Sequence, residues 1–276
     1  MKIDAHQHFW KIDRADYGWL TPEQSMLYRD FLPDDLSPQL ESAGVDGTVL
    51  VQAAPTTQET AFLLSLAEQH AFVRGVVGWV NFASRTASDE IEHLASHPAV
   101  VGLRPMIQDI PDLNWMLQPE LKPAFDALIA SDLTLDALIL PRHLGNLQRL
   151  LDLYPTMRVV INHGAKPQIR QGAFAEWASD MATLAQETSA FCKLSGLVTE
   201  AAENWTIEDL APYVEHLLDT FGPRRLIWGS DWPVCQLGGG YQRWLSATDT
   251  LLGGFSEADR AAIFGLNAVA AYRIPD

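Results

Sequence analysis

Four side chains in this sequence can bind a metal ion or move protons. His6 and His8 stand near the start of the chain, His163 near its middle and Asp231 near its end. Side chains two residues apart on a strand point to the same side, so His6 and His8 are expected to face one site. Imidazoles and carboxylates ligate divalent cations such as zinc, and they also act as acids and bases. Each of the four follows an apolar run, so strands are expected to position them.

Eight apolar runs rich in β-branched residues recur along the chain, and segments with helical spacing lie between them. The runs are continuous rather than alternating, which is typical of parallel strands covered on both faces. The predicted strands are residues 2–8, 47–53, 73–80, 100–106, 133–140, 158–163, 191–195 and 225–230. The predicted helices include residues 60–70, 87–96, 121–130, 144–153, 173–188 and 207–221.

Eight strand–helix units predict an α/β fold, a (β/α)8 TIM barrel that forms a single domain over residues 1–276. A doubly wound open sheet is the alternative, but the first strand is not followed by the glycine-rich phosphate turn of that fold. In a barrel the carboxyl ends of all strands meet at one face, where active sites lie. The four side chains are therefore expected to converge there, with the long connection 10–35 as part of the wall.

The composition limits the partners of the protein. The chain has 276 residues, with 19 Lys+Arg against 35 Asp+Glu and a formal net charge of −16. Such a charge repels phosphate backbones and anionic lipid, so neither a nucleic acid nor a membrane partner is expected. No stretch reaches the roughly 20 apolar residues that cross a bilayer, and only two cysteines are present. We expect a cytoplasmic protein, and the sequence leaves its oligomeric state open.

The strand-end motifs together resemble the amidohydrolase superfamily (amidohydrolase 2 type), and within it the sugar-lactonase branch of L-fuconolactonase- and L-rhamnonolactonase-like proteins. The resemblance covers essentially the whole chain. The motifs that carry it are Asp4-Ala5-His6-Gln7-His8-Phe9-Trp10, Val76-Val77-Gly78-Trp79-Val80, Val101-Gly102-Leu103-Arg104, His163-Gly164-Ala165-Lys166-Pro167, Cys192-Lys193-Leu194-Ser195-Gly196 and Gly229-Ser230-Asp231-Trp232-Pro233-Val234. The resemblance implies a barrel whose strand-end histidines and final aspartate activate a hydrolytic water. One departure is Asn162, where the family frequently has aspartate.

The resemblance also raises the question of metals. Two-metal members of the superfamily place a bridging Lys or Glu on strand four and a histidine on strand five, where this chain has Arg104 and Asp136. Because arginine carries donors only, it cannot bridge cations. We therefore expect either no required cofactor or a single divalent cation, with zinc the best match. The candidate ligands of that cation are His6, His8, His163 and Asp231.

The leading hypothesis is a hydrolase that opens a sugar aldonolactone (L-fucono-, L-rhamnono- or a related lactone) to the aldonic acid by water attack on the carbonyl. Asp231 is the expected general base, with His163 and Arg104 as further catalytic residues that stabilise the carbonyl oxygen. For Arg104 an ion pair with Asp136 or Asp109 is a structural alternative. Tryptophan faces match the C–H faces of sugars, and polar groups at strand ends suit hydroxyls. The residues expected to contact substrate are His6, His8, Trp10, Gln52, Trp79, Asp136 and Trp232.

Three other functions remain open from the sequence. A 2-pyrone-4,6-dicarboxylate-type lactonase would need several arginines in the mouth for two carboxylates, and Arg104 and Arg142 are the candidates. A metal-dependent decarboxylase on the same scaffold would require its metal and release carbon dioxide. A non-catalytic sugar-binding barrel would not need Asp231 beside three imidazoles.

Overall fold

The computed structural model describes residues 1–275 as eight strands alternating with helices. The strands are β1 (Ile3–Gln7), β2 (Gly47–Val51), β3 (Val73–Gly78), β4 (Val100–Leu103), β5 (Thr134–Ala137), β6 (Val159–Ile161), β7 (Phe191–Leu194) and β8 (Leu226–Trp228). The helices are α1 (Pro33–Ala43), α2 (Thr57–Gln69), α3 (Ala87–Ala95), α4 (Lys122–Ala130), α5 (Leu144–Leu153), α6 (Ala175–Glu187), α7 (Leu197–Glu200), α8 (Ile207–Phe221), α9 (Tyr241–Leu251), α10 (Glu257–Ala261) and α11 (Asn267–Tyr272).

The strands form one parallel sheet in chain order, from β1 to β8. The two outer strands meet at their carboxyl ends, where Asp231 N donates to the carbonyl oxygen of His6 (2.8 Å) and His8 N donates to that of Trp232 (2.7 Å). A glycine is required at residue 229 because a Cβ there would lie 2.7 Å from the Cβ of His6. The predicted (β/α)8 barrel is confirmed, and a sheet in sequential order is not doubly wound.

The observed strands are shorter than the predicted ones at their carboxyl ends. The predicted strand 73–80 ends at Gly78, and the predicted strand 100–106 ends at Leu103. Beyond β3 the backbone leaves the ladder, and Trp79 N donates to the Oγ1 of Thr60 on α2 (2.9 Å). Trp79, Val80, Pro105 and Met106 belong to loops at the carboxyl ends of the strands, and their hydrophobicity alone does not distinguish them from strand residues.

Apolar side chains fill two layers, one between the sheet and its helices and one inside the barrel. The interior layer includes Val49, Val101 and Ile227, and it continues into Ala271 and Tyr272 of α11. Thr134, the first residue of β5, donates its hydroxyl to the carbonyl oxygen of Ala271 (2.6 Å), so α11 covers the amino-terminal end of the barrel. No helix within residues 1–275 is both long and apolar enough to cross a membrane.

Candidate active site at the carboxyl ends of the strands

The carboxyl ends of β1, β6 and β8 bring the predicted histidines and aspartate together. One carboxylate oxygen of Asp231, Oδ1, lies 3.8 Å from His6 Nε2, 3.3 Å from His8 Nε2 and 3.9 Å from His163 Nε2. All four side chains are buried. The convergence that the strand pattern predicted is present in the structure.

The ring of His8 is held in one tautomer. Its Nδ1 lies 2.7 Å from the carbonyl oxygen of Val51, which only accepts hydrogen bonds, so Nδ1 carries the proton. In the neutral ring the lone pair of Nε2 then faces Asp231 Oδ1 at 3.3 Å. Two acceptors at this distance need a proton or a cation that both can share.

His163 and Asp231 both sit on left-handed backbone, with φ of 54° and 58°. This conformation is uncommon for residues other than glycine and is typical of functional sites. His163 Nδ1 makes a 2.9 Å hydrogen bond with the hydroxyl of Ser195, which follows β7. A Cβ at Gly196 would lie 2.4 Å from that nitrogen, so the glycine leaves room for the ring.

Arg104 follows β4 and lies among the carboxyl ends of four strands. Its Nη2 donates to the carbonyl oxygen of Gln52, and its Nη1 lies 3.2 Å from His6 Nε2 and 3.3 Å from Asn162 Oδ1. The Gln52 side chain donates in return to the carbonyl oxygen of Arg104 (2.7 Å). The guanidinium therefore connects β1, β2 and β6.

Asp136 forms its ion pair with Lys193 rather than with Arg104. Lys193 Nζ lies 2.7 Å from Asp136 Oδ2, and Tyr272 Oη donates to Asp136 Oδ1 (2.5 Å). Asp136 is fully buried and is not among the residues that line the cavity above the cluster, so the structure does not support its predicted substrate contact. The alternative ion pair of Arg104 with Asp136 or Asp109 is likewise absent from the described structure.

Burial sets the charge state of the cluster. Burial lowers the pKa of His8, lowers that of His6 well below its ordinary value and lowers that of His163 to about 3. Burial alone would raise the pKa of Asp231, but the adjacent His163, His8 and Lys166 hold it below its usual value. Near pH 7 the site is therefore an ionised carboxylate among neutral imidazoles.

A cavity of about 730 Å³ opens above the cluster. Its inner end is formed by His8, Arg104, His163 and Asp231, and its outer wall by Asp16, Trp19, Trp79, Asp109 and Lys166. The loop after β1 contributes to this wall, as predicted for residues 10–35, and Trp19 Nε1 holds it by donating to the carbonyl oxygen of Ala53 (2.8 Å). His6 is fully buried behind the wall.

Three predicted substrate contacts lie elsewhere. The rings of Trp10 and Trp232 are fully buried, each with its centroid 5.3 Å from that of Phe31, so they anchor the loop after β1 instead of lining the cavity. Gln52 is also fully buried and holds Arg104. Position at a strand end does not tell whether a side chain faces the opening or the loops that cover it. Trp79 does line the cavity.

The donor atoms of the cluster fit one divalent cation. In a tetrahedral zinc site, bonds of about 2.0–2.1 Å place ligand atoms roughly 3.3 Å apart. The distances from Asp231 Oδ1 to the three imidazole nitrogens, 3.3 to 3.9 Å, are close to this value. His6, His163 and Asp231 each offer one ligand atom within 4.8 Å of the others. The facing lone pairs of His8 and Asp231 give a second reason for a shared cation.

Lys193, Ser195 and Tyr272 contribute to the site, although they are not among the predicted site residues; for Lys193 the sequence favoured a structural ion pair over contact with a sugar oxygen, and the structure has that ion pair. Lys193 and Ser195 lie in the motif at β7 that contributed to the resemblance, so this motif was the available signal. Tyr272 stands about 80 residues after Lys193 in a short helix without a marked pattern, and only tertiary packing brings it to Asp136.

The fold and the site define a class: a (β/α)8 barrel with histidines and an aspartate at its strand ends, arranged for hydrolysis. The chain belongs to the amidohydrolase family (Amidohydro_2), whose model matches residues 3–274. It is 45% identical to an L-fucono-1,5-lactonase of Burkholderia ambifaria, over 99% of this chain and 96% of that protein. It is 33% identical to an L-fucono-1,5-lactonase of Burkholderia multivorans, over 100% of this chain and 97% of that protein. A crystal structure of a B. multivorans amidohydrolase with bound zinc matches with a TM-score of 0.94, at 33% identity and full coverage of both chains.

Proposed function

We propose that this protein hydrolyses a sugar aldonolactone to the corresponding aldonic acid. The observation that carries the proposal is the ionised Asp231 among three imidazoles at the inner end of the cavity. The two relatives named L-fucono-1,5-lactonase support the substrate class, because the chain aligns with both over nearly its whole length. A lactone fits a site of this kind, since an ester has a better leaving group than an amide.

Asp231 acts as the general base in this proposal. Its carboxylate takes a proton from water as the water oxygen bonds to the lactone carbonyl carbon. The carbonyl oxygen becomes negative, and Arg104, which lines the cavity beside Asp231, stabilises that charge. Without a bound cation, Nε2 of His163 donates to the same oxygen, because its Nδ1 is bonded to Ser195; with a cation, this nitrogen is one of the ligands. The bond between the carbonyl carbon and the ring oxygen then breaks. The released alkoxide takes up the proton that Asp231 accepted, and the open-chain acid leaves.

The metal ligands in this proposal are His6, His8, His163 and Asp231, and the ion is a single divalent cation such as zinc. When bound, such an ion polarises the carbonyl group and lowers the pKa of water. The zinc in the B. multivorans structure supports this choice, as does the nitrogen and oxygen donor set. Arg104, whose guanidinium lies near His6 and carries donors only, cannot bridge a second ion.

The outer wall of the cavity suits a neutral sugar. Trp19 and Trp79 offer flat apolar faces, and Asp16 and Asp109 offer acceptors for hydroxyl groups. Arg104 and Lys166 are the two cationic side chains among the lining residues, against three carboxylates including Asp231. This balance favours a neutral lactone over a pyrone dicarboxylate, which would bring two negative charges. Arg142, the other candidate for binding a carboxylate, lines a neighbouring groove instead.

The test is a panel of aldonolactones that differ in stereochemistry and ring size, with hydrolysis followed by acid release. We expect at least one deoxy or neutral hexonolactone to be opened by the parent protein and not by Asp231→Asn. Failure of the parent on the entire panel, or equal rates for the two proteins, would overturn the proposal. Adding 2-pyrone-4,6-dicarboxylate to the panel tests the alternative substrate.

A further inference from the structure

An ion pair and a tyrosine lie beneath the active site, inside the barrel. Lys193 Nζ contacts His6 Nδ1 at 3.1 Å and Asp136 Oδ2 at 2.7 Å, and Tyr272 Oη donates to Asp136 Oδ1 at 2.5 Å. Each of the four side chains is at most 1% exposed. The contacts run without a break from α11, at the amino-terminal end of the barrel, to a histidine of the catalytic face.

Stability does not account for this arrangement. The barrel interior around it is apolar, with residues such as Val49, Val101 and Val160. Taking two charges out of water is costly, and apolar side chains of similar volume usually serve as well or better in such a place. A buried ion pair in direct contact with an active-site imidazole is better explained by what it does to the imidazole.

The His6 ring lies between two cationic side chains, with Lys193 Nζ at Nδ1 and Arg104 Nη1 3.2 Å from Nε2. A neutral imidazole accepts at only one nitrogen, so the hydrogen bond from Lys193 to Nδ1 fixes the ring proton on Nε2. Nε2 is the atom that faces Asp231 Oδ1 at 3.8 Å. A rotation of the ring would move Nε2 away from the reacting groups, and a misplacement of about 1 Å can cost on the order of a hundredfold in rate.

We propose that Tyr272, Asp136 and Lys193 are positioning residues that fix the His6 ring for catalysis, so that the last helix takes part in the function of the site. The proposal rests on the proposed lactone hydrolysis for its kinetic consequence. Asp136 has both oxygens occupied, which fixes the Lys193 ammonium, and Lys193 in turn fixes the imidazole. None of the three lines the cavity, so each acts through His6 and not on the substrate.

The central variant is Tyr272→Phe, which keeps the ring and removes one hydroxyl. The matched control is Thr134→Val, because Thr134 and Asp136 are both on β5, and Thr134 bonds the carbonyl oxygen of Ala271, the neighbour of Tyr272. Thr134 also accepts a hydrogen bond from Arg158 Nε (2.9 Å), so the control removes at least as many hydrogen bonds between buried elements.

We expect kcat of Tyr272→Phe to fall about tenfold with KM little changed, as is typical when a group behind an active-site histidine is lost. Thr134→Val should keep its kcat within about twofold while losing similar thermal stability. Equal loss of kcat in the two variants would reduce the role of Tyr272 to packing and overturn the proposal, as would unchanged kcat in Tyr272→Phe.

A second readout does not depend on lactone hydrolysis. The imidazole nitrogen signals of His6, identified by NMR from their loss in His6→Gln, should shift in Tyr272→Phe and stay in place in Thr134→Val. Unmoved His6 signals in Tyr272→Phe would overturn the proposal even if no lactone is found to be a substrate. A parent inactive on every lactone with shifted His6 signals would instead remove the proposed function and retain the positioning role.

Discussion

Lys193 Nζ and Asp136 Oδ2 lie 2.7 Å apart in the interior of the barrel, and neither side chain is exposed to solvent. We expect Lys193→Met to lower the free energy of unfolding by about 3–5 kcal/mol, because it leaves the Asp136 carboxylate buried without its counter-ion. The double variant Lys193→Met/Asp136→Leu should recover much of that loss.

Chemical denaturation measures the free energy of unfolding of the single and of the double variant. The control is Lys122→Met on α4, which removes an exposed ion pair with Asp126 (2.6 Å) and should change the free energy of unfolding only slightly. If the free energy of unfolding of Lys193→Met equals that of Lys122→Met, the loss of the Lys193 counter-ion does not destabilise the buried Asp136, and the expectation is wrong.

Asp231→Asn should remove most turnover and leave the fold intact. The amide keeps the size of the side chain but cannot accept the proton from water, and general bases contribute about 10²–10⁴-fold. Parent and variant are compared on the best lactone of the panel, with circular dichroism as the check on folding. A folded variant with half of the parental rate would exclude Asp231 as the base.

Metal content is expected not to exceed one cation per chain. The ligand atoms of His6, His163 and Asp231 lie within 4.8 Å of one another, which suits one ion, and the nearby Arg104 carries donors only and cannot bridge a second one. Elemental analysis and anomalous diffraction on zinc-loaded protein measure the number and place of the ions. Two fully occupied, bridged metals would contradict this expectation.

Arg104→Lys should lower kcat/KM while the protein stays folded. Lysine keeps the positive charge, but its single ammonium cannot reach Gln52, His6 and Asn162 at once as the planar guanidinium does. Kinetics and thermal unfolding of Arg104→Lys and Arg104→Met separate an effect on catalysis from an effect on stability. An unchanged kcat/KM in Arg104→Lys would refute a catalytic role for this residue.

Glu59 should make stability depend on pH. Its carboxylate is buried beneath the cavity wall and accepts from the amides of Ala53 and Ala54, and burial raises its pKa to about 7. The unfolded chain loses this proton near the ordinary pKa of 4.5, so between these values the folded state binds more protons, and stability falls as pH rises.

Against Glu59→Gln, the parent should therefore lose up to about 3 kcal/mol of relative stability between pH 4.5 and 7, since one pKa unit is worth about 1.4 kcal/mol. The difference should level off above about pH 8, where Glu59 is ionised in both the folded and the unfolded state. Denaturant unfolding of both proteins across this range measures it. A parent that gains stability relative to the variant as pH rises would show that the pKa of Glu59 is lowered.

The fold could be predicted because its signal is local. Each parallel strand is covered on both faces, so its apolar run is visible in the sequence, and eight such runs alternating with helical spacing define a barrel. The ends of the strands cannot be read from the same signal, since Trp79 and Val80 are as apolar as β3 itself but belong to the loop. Helix α11 has only six residues, which is too short for a periodic pattern.

The sequence by itself determined the barrel and the meeting of His6, His8, His163 and Asp231, because the carboxyl ends of parallel strands must share one face. Only the tertiary structure decided the partners of the charged groups. The sequence left Arg104 and Asp136 as a candidate pair, but Asp136 lies with Lys193 and Tyr272, and Arg104 lies with Gln52, His6 and Asn162. Which buried charges meet depends on the three-dimensional packing of strands and helices distant in the chain, and local sequence patterns carry no information about it.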